Sequence, residues 1–495
     1  MNVIGFDNEK YLEMQSAKIA ERIEQFGDKL YLEFGGKLFD DYHASRVLPG
    51  FMPDSKIKML SQLKDKAEIL IAINANHIQK NKTRSDLDIT YETEVLRLID
   101  IFRGQGFYVG SVVLTCFQSQ PSAETFEKRL NSLGIKVYKH YQIEGYPSEV
   151  ENIISENGFG RNDYVITTRP LVVVTAPGPG SGKMATCLSQ LYHEYKHGIK
   201  AGYAKYETFP IWNLPLNHPV NIAYESATAD LADLNMIDPF HLEAYGEMTV
   251  NYNRDVEIFP VLSAMLKKIM DKSPYKSPTD MGVNMAGKCI INDQVVREAS
   301  KQEIIRRYYS TLVEVKKGKL PKETVSKIEL LMSKLGISTA DRTVVKPALD
   351  KEMATGLPGC ALSLSDGRIV VGKTGELLGA SASVLLNALK ALGGIPKETD
   401  VISSTVIEPV QRLKLQHMGS VNPRLHTDEV LICLAVSAVT DPNAKIAMEQ
   451  LGKLKGAQLH SSVVLSHVDS KTFKKLGIDV TCEPKRQTQK LYNAN

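Results

Sequence analysis

From Lys29 to Glu207 the chain alternates between short, largely apolar runs and longer stretches in which apolar positions recur every three or four residues. The runs are Leu30 to Phe34, Ile69 to Ile73, Tyr108 to Leu114, Lys136 to Tyr141 and Leu171 to Thr175, with amphipathic segments at Ile57 to Lys66, Thr90 to Arg103 and Ser122 to Leu133. Runs of this kind are strands covered on both faces, so the order predicts a mostly parallel sheet flanked by helices. After Glu207 the pattern loosens around Trp212-Asn213-Leu214-Pro215 and His218-Pro219, turns helical from Ile222 to Asn235, and passes through Ser273 to Gly287. The prolines and glycines of that last stretch predict a linker or an active-site loop. Helical periods follow at Asp293 to Lys316 and Lys322 to Leu335. From Ala348 strands and helices alternate again: a hairpin at Ala361 to Val371, helices at Ser381 to Leu392, Glu429 to Val439 and Ala444 to Leu454, and a strand at Ala457 to Ser466. The expected fold is multidomain α/β. A Rossmann- or P-loop-like domain spans 1–235, a helical linker subdomain 236–345, and a second α/β domain 346–495.

Within this pattern, Ala176-Pro177-Gly178-Pro179-Gly180-Ser181-Gly182-Lys183 joins the run ending at Thr175 to a helical segment reaching His197. Glycines at alternate positions let the backbone adopt φ > 0 and turn several N–H groups inward, while the helix dipole and the Lys183 ammonium add positive potential. Gly178, Gly180, Ser181, Gly182 and Lys183 are therefore the expected anion-binding residues. Counted back from Lys183, a Walker A loop needs glycine where Pro177 stands and Ser or Thr where Met184 stands. The hydroxyl that would hold Mg²⁺ is missing, Thr186 lies most of a turn further on, and no convincing Walker B strand is present. The dinucleotide fingerprint G-x-G-x-x-G/A is met by Gly180 to Ala185, with Glu207 at the end of a possible next strand, Ala201 to Glu207, where a ribose-binding acid would stand. The bland alternative is a tight turn with Ser181 as N-cap and Lys183 solvated.

A more literal Walker A string, Gly367-Arg368-Ile369-Val370-Val371-Gly372-Lys373-Thr374, is rejected on mechanism. Its Ile-Val-Val is stiff at χ1 and costly at φ > 0, so it reads as the second arm of a hairpin turned at Asp366-Gly367.

Composition narrows the class. With 495 residues and 43% hydrophobic content the chain supports several ordinary cores. Its 60 basic and 57 acidic residues are interspersed and give a formal charge of +3, so neither a nucleic-acid stripe nor a polybasic membrane anchor is expected. No leader pattern or membrane-length apolar run is evident, which predicts a cytoplasmic protein. The six cysteines are scattered without a C-x-x-C pair, so neither a disulfide framework nor a zinc knuckle is indicated.

Two further polar groupings are candidates for chemistry. His193-Glu194-Tyr195-Lys196-His197 is an H-E-x-x-H on a helix, with Glu225 as a possible third ligand, the pattern of a zinc peptidase. Against it, His193 lies about 15 Å beyond Lys183 on the same helix at roughly 1.5 Å rise per residue, and no substrate strand follows. Histidines in a last turn also complement the helix dipole, and no firm metal is expected. The run Asn422 to Glu429 offers Arg424 for a phosphate or carboxylate and His426 for proton transfer. Its alternative is a helix cap by Thr427 or Asp428. His460 with Ser461-Ser462 forms a lesser polar cluster.

Phe34-Gly35-Gly36-Lys37 with Asp40-Asp41-Tyr42-His43-Ala44, the Gly178 to Lys183 loop, Asn422 to Glu429, and Thr481-Cys482-Glu483-Pro484 together resemble the bacterial DUF1846 (UPF0371) family over nearly the full chain. The resemblance implies a multidomain fold with a Rossmann- or P-loop-like N-terminal part and no established activity. The leading expectation is a protein that binds a phosphorylated small molecule, a nucleotide being the suspected cofactor, at Gly178 to Lys183, with later domains closing over it. Alternatives are a self-assembling homo-oligomeric scaffold and the zinc peptidase.

Overall fold

The computed structural model describes residues 4–27, 29–39, 41–84, 87–231 and 233–487; Asp40 of the motif above lies outside them. These residues divide into two compact units, one of 4–225 with 233–299 and one of 226–232 with the chain from Ser300 onward.

The first unit is built on a seven-stranded, wholly parallel sheet. Its strands are β1 (Leu30–Phe34), β2 (Ala67–Asn74), β3 (Tyr108–Phe117), β4 (Lys136–Tyr141), β5 (Leu171–Thr175), β6 (Gly202–Tyr206) and β7 (Gly282–Val283). Across the sheet they run β7-β6-β1-β5-β2-β3-β4. Every residue of β1 and β5 is buried, as expected of strands whose side chains are covered on both faces. The helix Tyr91–Gly104 shows why the flanking segments are helical. Thr90 accepts from the Thr93 N–H as N-cap, and Val95, Leu98, Ile99 and Phe102 form one buried stripe at helical spacing.

Strand order places the candidate site. From β2 the chain steps outward through β3 and β4, returns to insert β5 between β1 and β2, and then passes over β1 to add β6 on the other side. The direction of winding reverses beside β5, and open α/β sheets form their ligand crevice at such a reversal, at the carboxyl ends of the strands.

Two expectations are corrected. Ser273 to Gly287 is not a linker: it carries the short helix Pro278–Met281 and then β7, which extends the sheet by pairing with Lys205 and Tyr206. The helix expected from Ile222 to Asn235 spans Pro219–Ala227, because Asn235–Ile237 pairs instead as a strand with Val250–Tyr252. Residues 236–299 thus belong to the first unit and 300–345 to the second.

In the second unit, β8 (Gly359–Ser363) and β9 (Ile369–Lys373) form an antiparallel hairpin. β8 also pairs antiparallel with β10 (Gln458–Ser461), which pairs parallel with β11 (Asp479–Cys482). The literal Walker string is therefore strand β9, with Val371 opposite Ala361, as its β-branched residues require. The helices Ala380–Gly393, Thr427–Ser437 and Pro442–Glu449 contribute buried apolar residues to this unit's own core. Among the described residues no helix is long and apolar enough to cross a membrane.

Candidate functional site

The glycine loop leaves β5 at Thr175 and ends at Gly182, the N-cap of the helix Lys183–Lys196. Gly180 and Gly182 sit at φ of 74° and 87°, in the left-handed region that glycine enters without strain. The loop carbonyls are drawn toward neighbouring side chains. Asn74 Nδ2 donates to the Gly180 carbonyl at 3.2 Å, Thr115 Oγ1 to that of Ser181 at 2.8 Å, and Ser181 Oγ to that of Gly178 at 2.8 Å. Among the described residues, no backbone N–H from Gly178 to Met184 donates to another group of the protein. Polar backbone groups normally find partners, so this unpaired run is the loop's main chemical asset.

Close packing explains why glycine stands at each position. A Cβ on Gly182 would lie 2.8 Å from Thr115 Oγ1, one on Gly180 3.3 Å from His77 Cε1, and one on Gly178 inside the Tyr91 hydroxyl. His77 lies edge-on to Tyr91, and its Nε2 is 3.5 Å from Lys82 Nζ. Burial, with Lys82 and Lys80, lowers the His77 pKa and keeps its ring neutral, so positive potential at this edge comes from lysines. Neither Lys82 nor Lys183 pairs with a carboxylate among the described residues. Thr186 Oγ1 donates to the Gly182 carbonyl at 2.9 Å and is committed there rather than turned toward a metal.

Glu207 follows β6, and β1 lies between β6 and β5. It is therefore two strands from the loop, not in the adjacent place a dinucleotide fold gives its ribose acid. It is buried, and its Oε1 meets Lys205 Nζ at 2.7 Å; Lys205 also pairs with Asp255. Burial, with Asp255 and Glu33 nearby, pushes the Glu207 carboxyl up to about 7 against the pull of Lys205. The strand beside β5 carries a different acid one residue before its end, Glu33, level with Val174 of β5 and Lys205 of β6. The Tyr203 hydroxyl donates to Glu33 Oε2 at 2.7 Å. Sequence reading missed Glu33, Tyr203, Lys205 and Asp255. The available signal was a glutamate inside the otherwise apolar run Leu30 to Phe34, since buried charge is seldom present without a partner.

The zinc-peptidase arrangement is corrected. Glu194 is fully buried and accepts from the hydroxyls of Tyr31 at 2.6 Å and Tyr164 at 3.1 Å, and it pairs with Lys29. A general base needs access to water, and this carboxylate is enclosed by donors. His197 stacks on Tyr164 with ring centroids 4.8 Å apart, and its Nδ1 meets the His193 carbonyl at 2.7 Å. His193 is buried, while Glu225 accepts from Asn235 Nδ2 at 3.0 Å. Among the described residues no group of three or more His, Cys, Asp or Glu is arranged to hold a metal ion.

In the second unit, Arg424 Nε donates to the Gly375 carbonyl at 2.7 Å. His426 is the N-cap residue of Thr427–Ser437, and its N–H donates to Glu429 Oε2 at 2.7 Å. Its ring faces Asp469 at 3.3 Å, and Asp469 in turn accepts from the Thr427 N–H at 2.9 Å. The Asp469 carboxylate raises the His426 pKa. His426 and Asp469 thus serve the start of this helix, while Arg424 holds the Gly375 loop, all in hydrogen bonds local to their own unit. His460 is buried, with Nδ1 2.9 Å from Thr481 Oγ1 and Nε2 3.3 Å from Glu483.

With the geometry in place, the chain can be set against known proteins. The family described as Domain of unknown function DUF1846, N-terminal, matches residues 4–336, and its C-terminal counterpart matches residues 340–492. The chain belongs to the DUF1846 family. A UPF0371 protein of Corynebacterium efficiens is 59% identical over 489 residues, covering 99% of each chain. UPF0371 proteins of Streptococcus sanguinis and of Streptococcus pyogenes serotype M5 are 57% and 56% identical over 492 residues, covering 99% of this chain and all of theirs. The DUF1846 chain is thus an α/β protein of an uncharacterised bacterial family, with a Rossmann-like sheet in its first unit.

Proposed function

We propose that this protein binds a phosphorylated small molecule, a nucleotide being the leading class, with its phosphate on the Gly178 to Lys183 loop. The observation that carries the reading is the set of unpaired N–H groups of Gly178 and of Gly180 to Met184 at a helix start, beside Lys183 and at the sheet's point of reversal. Binding is favoured over hydrolysis. Met184 replaces the metal-binding hydroxyl, and Thr186 is hydrogen-bonded to the helix backbone.

Calorimetric titration with inorganic phosphate, ADP, ATP, NAD and NADP tests this. At least one should bind the intact protein. Lys183→Ala should weaken that ligand about tenfold, the worth of one charge-assisted contact, and Gly182→Val should abolish binding by driving a side chain into Thr115. No heat from any ligand, with an unchanged Lys183→Ala variant, removes the proposal.

Self-association is a second reading, favoured by the helix Thr427–Ser437. Val430, Cys433 and Leu434 are buried, yet Ile432 and Val436 on the same helix are 64% and 57% exposed, and Val439 just beyond is 82% exposed. A helix apolar all round loses solvent on both faces when assembled. Light scattering at micromolar concentration should give a multiple of the chain mass that Val436→Glu reduces to one chain. A wild-type protein at the mass of one chain would rule this reading out.

A further inference from the structure

The carboxyl ends of β1 and β6 hold two acids that are each only half engaged. Glu33 and Glu207 are 7% and 8% exposed, and a carboxylate so far removed from water is costly unless its oxygens find donors. One oxygen of each does: the Tyr203 hydroxyl serves Glu33 Oε2, and Lys205 Nζ serves Glu207 Oε1. Among the described residues no donor reaches the second oxygen of either side chain, and neither oxygen is sealed from solvent. Each acid therefore keeps a spare acceptor.

The spare acceptors call for donors rather than a metal ion. The Lys205 ammonium already stands between Glu207 and Asp255, where a cation would lie, and no metal-type cluster is present among the described residues. The acids are also continuous with the loop. Glu33 is level with Val174, one residue before the end of β5, so about one strand spacing of ~4.8 Å separates it from the strand that carries the loop, and Glu207 lies about two spacings away. Cys187, on the helix that begins at Lys183, feels the charges of both Glu33 and Lys183. An anion site and two acceptors spaced along one sheet edge suit a ligand with phosphate at one end and hydroxyl groups along its body.

We infer that Glu33 and Glu207 bind hydroxyl groups of the ligand whose phosphate lies on the glycine loop, so that the ligand is a phosphorylated polyhydroxy compound, a sugar phosphate or the ribose phosphate of a nucleotide. This rests on the phosphate reading above and goes beyond it by naming the body of the ligand. Glu33 takes the place on the adjacent strand that sequence reading gave to Glu207, while Glu207 acts one strand further along.

The test titrates the full chain with inorganic phosphate, ribose 5-phosphate and AMP. Ribose 5-phosphate should bind at least tenfold tighter than phosphate. Glu33→Gln and Glu207→Gln should each narrow that gap several-fold while leaving phosphate affinity unchanged, which also shows that the variants are folded. AMP binding tighter than ribose 5-phosphate would identify a nucleotide source, and equal binding a sugar phosphate. Ribose 5-phosphate binding no tighter than phosphate, or a preference that survives both substitutions, overturns the inference and leaves the phosphate reading standing. Failure of all three ligands overturns both.

Discussion

Replacing Glu194 with alanine should cost the first unit about 3–5 kcal/mol of stability, the usual penalty for removing one partner of a buried ion pair. The carboxylate is fully buried, and the Lys29 side chain opposite it is 14% exposed. Its loss strands the Lys29 ammonium and the hydroxyls of Tyr31 and Tyr164, all of which now donate to it. Gln190, which donates to the Tyr31 hydroxyl at 3.2 Å, would have to rearrange as well. Glu194→Gln keeps the volume and one acceptor, so it should lose less, about 1–3 kcal/mol. Urea denaturation monitored on the intact protein measures both, with a lower midpoint and an unchanged slope as the expected pattern. A chelator should leave the wild-type midpoint where it is. A zinc site at His193 and His197 would give the reverse: a large response to chelator and a small one to the loss of Glu194. A cost below 1 kcal/mol for Glu194→Ala would show that this carboxylate is not the buried hub described here.

How much of this was legible in sequence follows from the range of the forces involved. Leu171 to Thr175 is a strand because five consecutive buried residues leave no polar face, and that is local information. The glycine loop is local as well, since the positive φ at Gly180 and Gly182 is a demand that only certain residues meet. The literal Walker string was correctly set aside for the same reason, as Ile369, Val370 and Val371 disclose a strand. Three of the helices that went unrecognised carry conflicting signals. Asn253–Met270 and Ser404–Gln416 contain Pro260 and Pro409, which argue against a helix, and Asn8–Gln25 buries only a narrow stripe including Tyr11, Ile19 and Ile23. The strand β7 is two residues long and gains its place only by pairing with β6.

The proposed site was half visible for a different reason. Its anion half lies in one contiguous stretch, but its acidic half depends on which strand adjoins β5. That adjacency joins Glu33 to Val174 across a long intervening chain. Nothing in the period of the sequence encodes strand order, so Glu207, at the end of the next strand in sequence, was the natural choice, and Glu33, on the next strand in space, was missed. In the same way the H-E-x-x-H string is a local match whose meaning was decided by Lys29, Tyr31 and Tyr164, residues brought in by the fold.

Glu207→Gln should stabilise the protein at pH 8 and have little effect at pH 4.5. The native carboxyl is pushed up to about 7, whereas in the unfolded chain it titrates at its ordinary value of 4.5. Between those values the native state holds a proton that the unfolded state has released, so stability falls as pH rises through this window. A shift of that size amounts to roughly 3–4 kcal/mol. The physical cause is that one ammonium serves too many acids. Lys205 is shared by Glu207 and Asp255, with Glu33 close by, and its pull on Glu207 does not repay the desolvation of a third negative charge. Glutamine resembles the protonated side chain, so the variant should match wild type below pH 4.5 and gain on it steadily up to about pH 7. The measurement is the difference in unfolding free energy between wild type and Glu207→Gln at several pH values from 4.5 to 8. If the substitution were instead destabilising at pH 8 and neutral at pH 4.5, the ionised Glu207–Lys205 pair would be a net stabilising contact. A ligand hydroxyl donating to the Glu207 carboxylate would favour its ionised form and lower its pKa, so adding a bound sugar phosphate should shrink the pH dependence of the wild type and leave that of the variant unchanged.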